Sequence, residues 1–435
     1  MKLLKFLITT LAWMTSYTLV ADETLDTTAH PPSFGNEINL PSTYLKVPQT
    51  IHVYLPLGYE QAAEHIRYPV IYTLDGWALS QTVSGVVNHL GNTGSMPKAI
   101  VVAINSDDEF AYGPKLYASN SGWGKDPKVR LDGFSGGQAD TYLKFIQREL
   151  IPFIDGQYRT HQFRVLIGMS PTATFALHTF WKTPELFDAH FLFAATDVLG
   201  MGYTPDTTFV DKIAESLAKN PERKGYLYIA SAQREAVKKP VRLENIAALK
   251  TAVATYTKKN FKLRAEHIDN FGHYPMAVPG LLSAIDLVFP RNDWGMSGRY
   301  NKFVSQDGNP LQNVLAYYET LSDSVGFTVT PYTDLRRNSA CYRVMAYRLR
   351  DNKRFKESEQ IYLRWIQDAP NAAKPYAGLA QTYAAMGEFD KALRYGEKSV
   401  ELAKRNRSPS LVYYHEKLEE LRQSSVSTMT DNDGQ

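Results

Sequence analysis

Three residues in this chain have the types and the order needed for nucleophilic catalysis. Ser170 lies where an apolar run ending at Gly168 gives way to a segment with helical spacing. This pattern predicts a strand, a sharp turn and a helix with the serine at the apex, which exposes its hydroxyl for attack on a carbonyl carbon. An acid, Glu235, and a histidine, His273, follow later in the chain. A histidine can take the proton of the serine, and an acid can orient the histidine.

Both partners of the serine are expected at the end of a strand. Tyr226–Ala230 predicts a strand shortly before Glu235, and the segment from Arg264 predicts a strand that leads into the His273 loop. Open α/β sheets bind their ligands at the carboxyl ends of their strands, so these residues are expected to meet at one edge. The order serine, acid, histidine is that of α/β-hydrolases. We predict Ser170 as nucleophile, His273 as its base and Glu235 as the orienting acid.

Each of these residues also has a simpler interpretation. Ser170 could cap the following helix, because serine is a preferred N-cap residue. A single loop histidine such as His273 is commonly a packing or surface residue, and Glu235 alone is typical of a solvated carboxylate. Only the joint order and placement of the three favours catalysis.

Pro171 argues against efficient catalysis. The backbone N–H of the residue after the nucleophile normally points at the oxyanion, and proline has none. Removing one such donor typically costs about 100-fold to 1,000-fold in turnover. Alternatively, Pro171 simply occupies the first helical position, where its missing donor is harmless. The remaining candidate donors are the N–H or hydroxyl of Thr172, the hydroxyl of Thr174, and the turn at Gly76 and Trp77.

Several segments together resemble the putative-esterase family of α/β-hydrolases, which includes the enterobactin and salmochelin esterases and esterase D. The resemblance covers roughly residues 40 to 290. It implies that Ser170 is the nucleophile, that His273 is the catalytic histidine, and that the turn at Trp77 supplies an oxyanion donor. It does not fix the acid. The segments that carry it are Tyr68–Trp77, Lys98–Asn105, Phe145–Asp155, Tyr158–Thr160 and Gly272–Pro279.

The chain departs from the family pattern next to the serine. Where the family has Gly-His-Ser-x-Gly-Gly, this chain has Gly-Met-Ser-Pro-Thr-Ala over residues 168–173. The Cβ of Thr172 narrows space that a glycine would leave open. Ester hydrolysis is the expected activity, with a catalytically silent binding module or acyl transfer to another acceptor as alternatives.

Composition bounds the remaining possibilities. A length of 435 residues predicts two or three domains. The net charge of +3 gives no electrostatic case for binding nucleic acid. Cys341 is the single cysteine, so no internal disulfide can form. The sequence contains no metal-binding or cofactor motif, and neither a metal nor a cofactor is predicted. The acidic cluster Asp107–Glu109 is expected to be a solvated loop.

The first 21 residues are typical of a signal peptide. Lys2 and Lys5 precede a short apolar core, and the small residue Ala21 stands at the expected cut. Several threonines and serines dilute the apolar stretch, so a stable membrane span is not expected. The protein is therefore predicted to be periplasmic or secreted.

The segment over residues 40–290 alternates strands with helices, which predicts an α/β-hydrolase fold with a mostly parallel central sheet. Residues 291–330 are predicted to be a linker and helical connection. Residues 331–423 are predicted to form an all-α, tetratricopeptide-like domain, because apolar positions such as Phe355 and Phe389 recur at an offset of 34 residues. Residues 424–435 are expected to be a disordered tail. The predicted partners are a small-molecule ester and, through the helical repeats, a protein partner or a second copy.

Overall fold

We describe a computed structural model of the chain. It describes residues 35–105, 112–123, 126, 128–131, 136–257, 260–299, 301–335 and 339–432. The predicted signal peptide at residues 1–21 and the acidic cluster Asp107–Glu109 lie outside the described residues.

An eight-stranded sheet forms the centre of the protein, with the strand order β1-β2-β4-β3-β5-β6-β7-β8. β2 pairs with β4 in antiparallel orientation, and all neighbours from β4 to β8 are parallel. The predicted fold class, an α/β-hydrolase fold with a mostly parallel sheet, is confirmed. The strands are β1 (Asn36–Leu40), β2 (Gln49–Tyr54), β3 (Tyr68–Thr73), β4 (Ile100–Asn105), β5 (Thr160–Met169), β6 (Ala189–Phe193), β7 (Gly225–Ala232) and β8 (Phe261–Ile268).

Helices follow most of the strands, as the parallel connections require. A π-helical turn, Ile146–Leu150, joins α2 to α3. The helices of this region are α1 (Gly76–Thr93), α2 (Ala139–Phe145), α3 (Ile151–Gln157), α4 (Thr172–Lys182), α5 (Phe209–Lys219), α6 (Gln233–Lys238), α7 (Val241–Ala252) and α8 (Ala277–Val288).

In the part of the chain that the structure describes, eight further helices follow the sheet, and their apolar residues continue its core. They are α9 (Arg291–Trp294), α10 (Asn301–Val304), α11 (Pro310–Val325), α12 (Tyr342–Asp351), α13 (Phe355–Asp368), α14 (Ala373–Ala385), α15 (Phe389–Arg405) and α16 (Leu411–Asn432). The helices α12 to α15 form two successive helix pairs with α13 and α15 starting at Phe355 and Phe389, as the repeat period predicts. Their assignment as tetratricopeptide repeats stays a prediction.

Two predicted boundaries differ in the structure. The sheet begins at Asn36 rather than at residue 40, because β1 adds a mostly polar edge strand that carries little apolar signal. Residues 291–330, predicted to be a linker and helical connection, contain α9 to α11, and Trp294, Val314 and Tyr318 of this segment are buried in the core. The tail expected to be disordered from residue 424 is helical to Asn432, because no proline or glycine interrupts α16 there.

One hydrophobic cluster joins the sheet to the C-terminal helices. It runs without a break from Val165 of β5 through Trp294 and Tyr318 to Leu379 of α14. Phe327, after α11, packs on Phe163 at the start of β5 with ring centroids 5.0 Å apart. The other face of the sheet has its own core, covered by helices α2 to α5. Helices α1 and α8 pack directly on the first face of the sheet, and the C-terminal helices extend the same core.

The parallel strands bring the predicted residues to one edge of the sheet. Met169, Phe193 and Ala230 stand level with one another at the carboxyl ends of β5, β6 and β7. The turns that follow β3, β5, β7 and β8 therefore emerge side by side. No helix of the described residues is long and apolar enough to span a bilayer.

The shared core predicts that the sheet and the C-terminal helices unfold together. Trp294→Ala removes a side chain that is 1% exposed at their junction, and we expect it to cost about 3–5 kcal/mol of unfolding free energy. Urea unfolding followed by tryptophan fluorescence and by circular dichroism should give one coincident transition, shifted in the variant. Trp77→Ala, at a residue that is 65% exposed, is the matched control and should shift the midpoint little. Two separate transitions, only one of them shifted, would contradict the shared core.

Candidate active site

Ser170 stands at the tip of the bend between β5 and α4. Its φ of 55° is left-handed, a conformation that costs a non-glycine residue about 1 kcal/mol or more. Its N–H donates to the carbonyl of Phe193 at 2.8 Å, and its own carbonyl accepts from Ala173 N at 3.2 Å. The residue at the N-cap of α4 is Pro171, and no side chain caps this helix. Ser170 is therefore not the N-cap, and the predicted strand, turn and helix are confirmed.

Gly168 allows the strand and the helix to approach this closely. A Cβ at Gly168 would lie 2.9 Å from the carbonyl oxygen of Thr172 and 3.1 Å from Ala173 N. A side chain at Gly168 would therefore clash with the backbone of the following helix. The two family glycines after it are replaced by Thr172 and Ala173, which are buried in α4.

A buried carboxylate ties the serine turn to the neighbouring turn after β3. Asp75 Oδ2 accepts from Met169 N at 3.1 Å and also from the hydroxyl of Thr172. The Thr172 hydroxyl in turn accepts from Met169 N at 2.8 Å. Asp75 has the same left-handed φ of 55° as Ser170. Two strained turns on adjacent strands are thus held against each other by one carboxylate and one hydroxyl.

The turn after β3 opens directly into α1. Gly76 is the first residue of this helix, and a Cβ there would lie 2.2 Å from Asn105 Oδ1 and 2.7 Å from the carbonyl of Ile104. Only glycine fits at that position. The N–H groups of Gly76 and Trp77 belong to the first turn of the helix, where no intrahelical acceptor exists for them. The Asp75 contact places this turn beside the serine turn.

The candidate donors after the serine are largely committed elsewhere. Pro171 has helical backbone angles, φ −63° and ψ −39°, and lacks an N–H. The Thr172 hydroxyl donates to Asp75, and the Thr174 hydroxyl donates to the carbonyl of Pro171 at 2.7 Å. Neither hydroxyl is available to an oxyanion. Of the groups predicted from the sequence, this leaves the N–H of Thr172 and the N–H groups of Gly76 and Trp77.

His273 and Glu235 form a direct pair. His273 lies in the loop between β8 and α8, and Glu235 lies in α6, directly after β7. His273 Nδ1 and Glu235 Oε1 are 2.9 Å apart. The side chains are 32% and 24% exposed, so the pair sits at the surface of the sheet edge. A carboxylate at Nδ1 favours the tautomer in which Nδ1 carries the proton and Nε2 can accept one.

A second acid and an arginine support Glu235 from behind. Arg242 Nη1 donates to Glu235 Oε2 at 3.1 Å, and its Nη2 donates to Asp197 Oδ2 at 2.9 Å. Trp123 Nε1 also donates to Asp197 Oδ2, at 3.0 Å. Sequence reasoning missed both residues. Asp197 could have been noticed as an acid shortly after β6, but nothing in the sequence connects Arg242 to Glu235.

An aromatic contact links the histidine loop to the turn after β3. The rings of Tyr274 and Trp77 are 6.3 Å apart in an edge-on arrangement, and the His273 and Tyr274 rings are 5.1 Å apart. Trp77 follows Asp75 by two residues, and Asp75 holds the serine turn. A continuous chain of contacts therefore connects the turns that carry Ser170, Gly76, Trp77, His273 and Glu235. Among the described residues, no three His, Cys, Asp or Glu side chains are grouped so as to hold a metal ion.

Comparison with known proteins gives a family match and a set of similar solved structures. A crystal structure of an IroE-like serine hydrolase from Shewanella oneidensis is 22% identical with a TM-score of 0.54, and the match covers 76% of this chain and 98% of that chain. The siderophore hydrolase EstB from Aspergillus nidulans is 18% identical with a TM-score of 0.43, over 58% of this chain and 92% of that chain.

A curated relative matches a shorter segment. The uncharacterized protein YjcH of Bacillus subtilis strain 168 is 30% identical over 151 residues, which are 34% of this chain and 55% of the relative. The chain thus spans about half the length of the curated relative that it matches. The family model described as Putative esterase matches residues 42–267, just over half of the chain. The chain therefore belongs to the Putative esterase family.

Proposed function

We propose that this protein is an exported serine hydrolase that cleaves carboxylic esters. Family membership supports ester hydrolysis as the general activity. The observation that carries the specific proposal is a left-handed Ser170 at the tip of a strand-to-helix bend, on the sheet edge where His273 pairs with Glu235 at 2.9 Å. The proposed nucleophile, base and orienting acid thus come from the segments that follow β5, β8 and β7 at one edge of the sheet.

The proposed reaction has two steps with matching proton transfers. His273 Nε2 takes the proton of Ser170 as the hydroxyl attacks the ester carbonyl, and the resulting imidazolium gives that proton to the departing alcohol. Water then attacks the Ser170 ester as His273 Nε2 takes its proton, and the imidazolium returns that proton to Ser170 Oγ as the carboxylic acid is released. Glu235 holds the imidazole in the required tautomer and stabilises its positive charge. Arg242 acts as a positioning residue, since it fixes Glu235 through a largely buried ion pair.

The oxyanion is stabilised mainly from the side of β3. The N–H groups of Gly76 and Trp77 open α1, where the helix dipole also favours negative charge. The Asp75 contact keeps this turn in register with the serine turn. On the α4 side, Pro171 removes the usual donor, and we infer that the wild-type enzyme is slower than relatives that retain it.

The site favours esters with an apolar or planar group next to the scissile bond. Trp77 and Tyr274 flank the histidine loop and are 65% and 58% exposed. Such amphipathic rings can pack on an apolar part of a ligand at little cost in side-chain entropy. A small-molecule ester is therefore the proposed substrate.

The first test is a set of substitutions at the three proposed residues. Hydrolysis of p-nitrophenyl acetate should fall at least about 1,000-fold in Ser170→Ala and in His273→Gln, and less in Glu235→Gln. A fluorophosphonate probe should label the wild type and not Ser170→Ala. Ser324→Ala, at an exposed serine of α11, is the matched control and should keep full activity. Unchanged hydrolysis in Ser170→Ala would remove this serine from the mechanism.

The second test restores the missing donor. Pro171 already has helical backbone angles, so Pro171→Ala should be accommodated and would add an N–H next to the nucleophile. We expect the kcat for p-nitrophenyl acetate to rise, up to about 100-fold. Pro152→Ala, at an exposed proline in the first turn of α3, is the control and should leave kcat unchanged. An unchanged kcat in Pro171→Ala would show that this position does not face the oxyanion.

Export is part of the proposal and has its own test. The charged start, short apolar core and Ala21 support cleavage by signal peptidase. We expect Edman sequencing of the protein recovered from a periplasmic or extracellular fraction to begin at Asp22. Recovery of the full-length chain from the cytoplasmic fraction would contradict export.

One observation favours a second candidate function. Pro171 and the engaged hydroxyls of Thr172 and Thr174 leave the α4 side poor in donors. A catalytically silent hydrolase fold, with its helical repeats engaging a partner protein, would have this property. Such a protein would not react with the fluorophosphonate probe, and Pro171→Ala would not activate it.

A further inference from the structure

A cavity lies at the opposite edge of the sheet from the candidate active site. It has a volume of about 730 Å³, within the range of small-molecule sites. Lys98, just before β4, and Tyr68, the first residue of β3, line it, whereas Asp75 follows β3 at the other end. A strand of six residues, such as β4, spans about 17 Å. The cavity is therefore separate from the edge that carries Ser170.

The cavity is bounded by both parts of the protein. One wall is the segment before β3, and the opposite wall is formed by the ends of α13 and α14 together with the strap over residues 327–335. Backbone hydrogen bonds fix the walls to each other: Ala63 N donates to the carbonyl of Asp368 at 2.9 Å, and Asn371 N donates to the carbonyl of Gln61 at 3.3 Å. The hydroxyl of Tyr332, on the strap, donates to the carbonyl of Met96. The space is thus held open by fixed contacts.

The charges around the cavity do not balance. Among the described lining residues, four are cationic and only two, Asp334 and Asp368, are acidic. Both acids already have partners. Asp334 binds Arg343 and Lys374, and Asp368 accepts from Arg364, which lies outside the lining, at 3.0 Å. The cations are Arg67, Lys98, Arg343 and Lys374.

Among the four cations, Lys98 is the one whose charge a bound anion would stabilise most. Its ammonium donates to the neutral carbonyl of Leu57. Burial lowers its pKa from the ordinary value, and the charge of Asp334 only partly offsets this. An anion bound in the cavity would stabilise the charged form of Lys98. The remaining lining is largely apolar and includes Trp365 and Tyr414.

We propose that this cavity binds an amphipathic carboxylate, with its apolar chain against Trp365 and its carboxylate facing Lys98. A medium-chain fatty acid has this chemistry, whereas an alcohol or a quaternary ammonium of equal length lacks the anion. The proposal concerns a site remote from Ser170 and holds whether or not the protein hydrolyses esters.

The test is titration calorimetry of the full chain with decanoate, 1-decanol and decyltrimethylammonium. Decanoate should bind saturably, and 1-decanol and decyltrimethylammonium should bind at least about tenfold more weakly. Lys98→Met should weaken decanoate binding about tenfold to 100-fold. Lys262→Met, at an exposed lysine of β8, is the matched control and should bind as the wild type does. Inhibition of ester hydrolysis is not a readout, because a carboxylate could also occupy the active site as a product.

A second variant distinguishes a loss of decanoate binding from misfolding of the Lys98→Met protein. Thr330 lines the cavity from the strap, and Thr330→Phe should fill part of the space while leaving every cation in place. It should also weaken decanoate binding, with an unchanged circular dichroism spectrum. Absence of decanoate binding to the wild type, or equal affinity in the wild type and in both cavity variants, would overturn the proposal.

Discussion

The carboxylate of Asp75 holds together two turns on which the candidate site depends. It accepts from the backbone of Met169 and from the hydroxyl of Thr172, one residue before and two residues after Ser170. Asp75 and Ser170 both adopt a left-handed backbone that is unfavourable without support. Since the turn after β3 carries Gly76 and Trp77, the same contact sets the position of the proposed oxyanion donors relative to Ser170, the proposed nucleophile. Thr172, which departs from the family glycine, supplies the hydroxyl that completes this contact.

Support for the histidine is organised differently, through a row of charges. His273 contacts Glu235, Glu235 contacts Arg242, and Arg242 contacts Asp197. The last three residues come from segments after β6 and β7. A largely buried arginine shared by two carboxylates has little freedom to turn away, and so Glu235 is fixed as well. The turn at Ser170 is held by one compact group of hydrogen bonds around Asp75, whereas His273 is held by a series of ion pairs that extends to Asp197.

Local sequence signals were sufficient to predict the strands and helices. They did not predict the contacts between residues that lie far apart in the sequence. The apolar run before Ser170, the small Gly168 and the helical spacing afterwards fully specify a strand, a turn and a helix, and the structure confirms them. The pairing of Glu235 with His273 followed from placing both after parallel strands. Arg242 could not be found in this way, because a charged residue on a surface helix usually faces water. The role of Asp75 was hidden too, since the sequence does not reveal that this carboxylate is buried. The polar β1 and the helical end of α16 were missed because neither has a strong apolar period.

The continuous core has a consequence for how such a protein can be divided or recombined. Helix α8 follows the His273 loop, and its buried residues lie in the same cluster as those of α11 to α14. A fragment that ends after Phe289 would expose the apolar residues of this cluster that pack against the C-terminal helices, among them Phe163. The C-terminal helices therefore cannot be removed or exchanged without changing the core that they share with the sheet. Any ancestor or engineered derivative lacking the C-terminal helices must bury that surface in another way if the candidate site is to keep its shape.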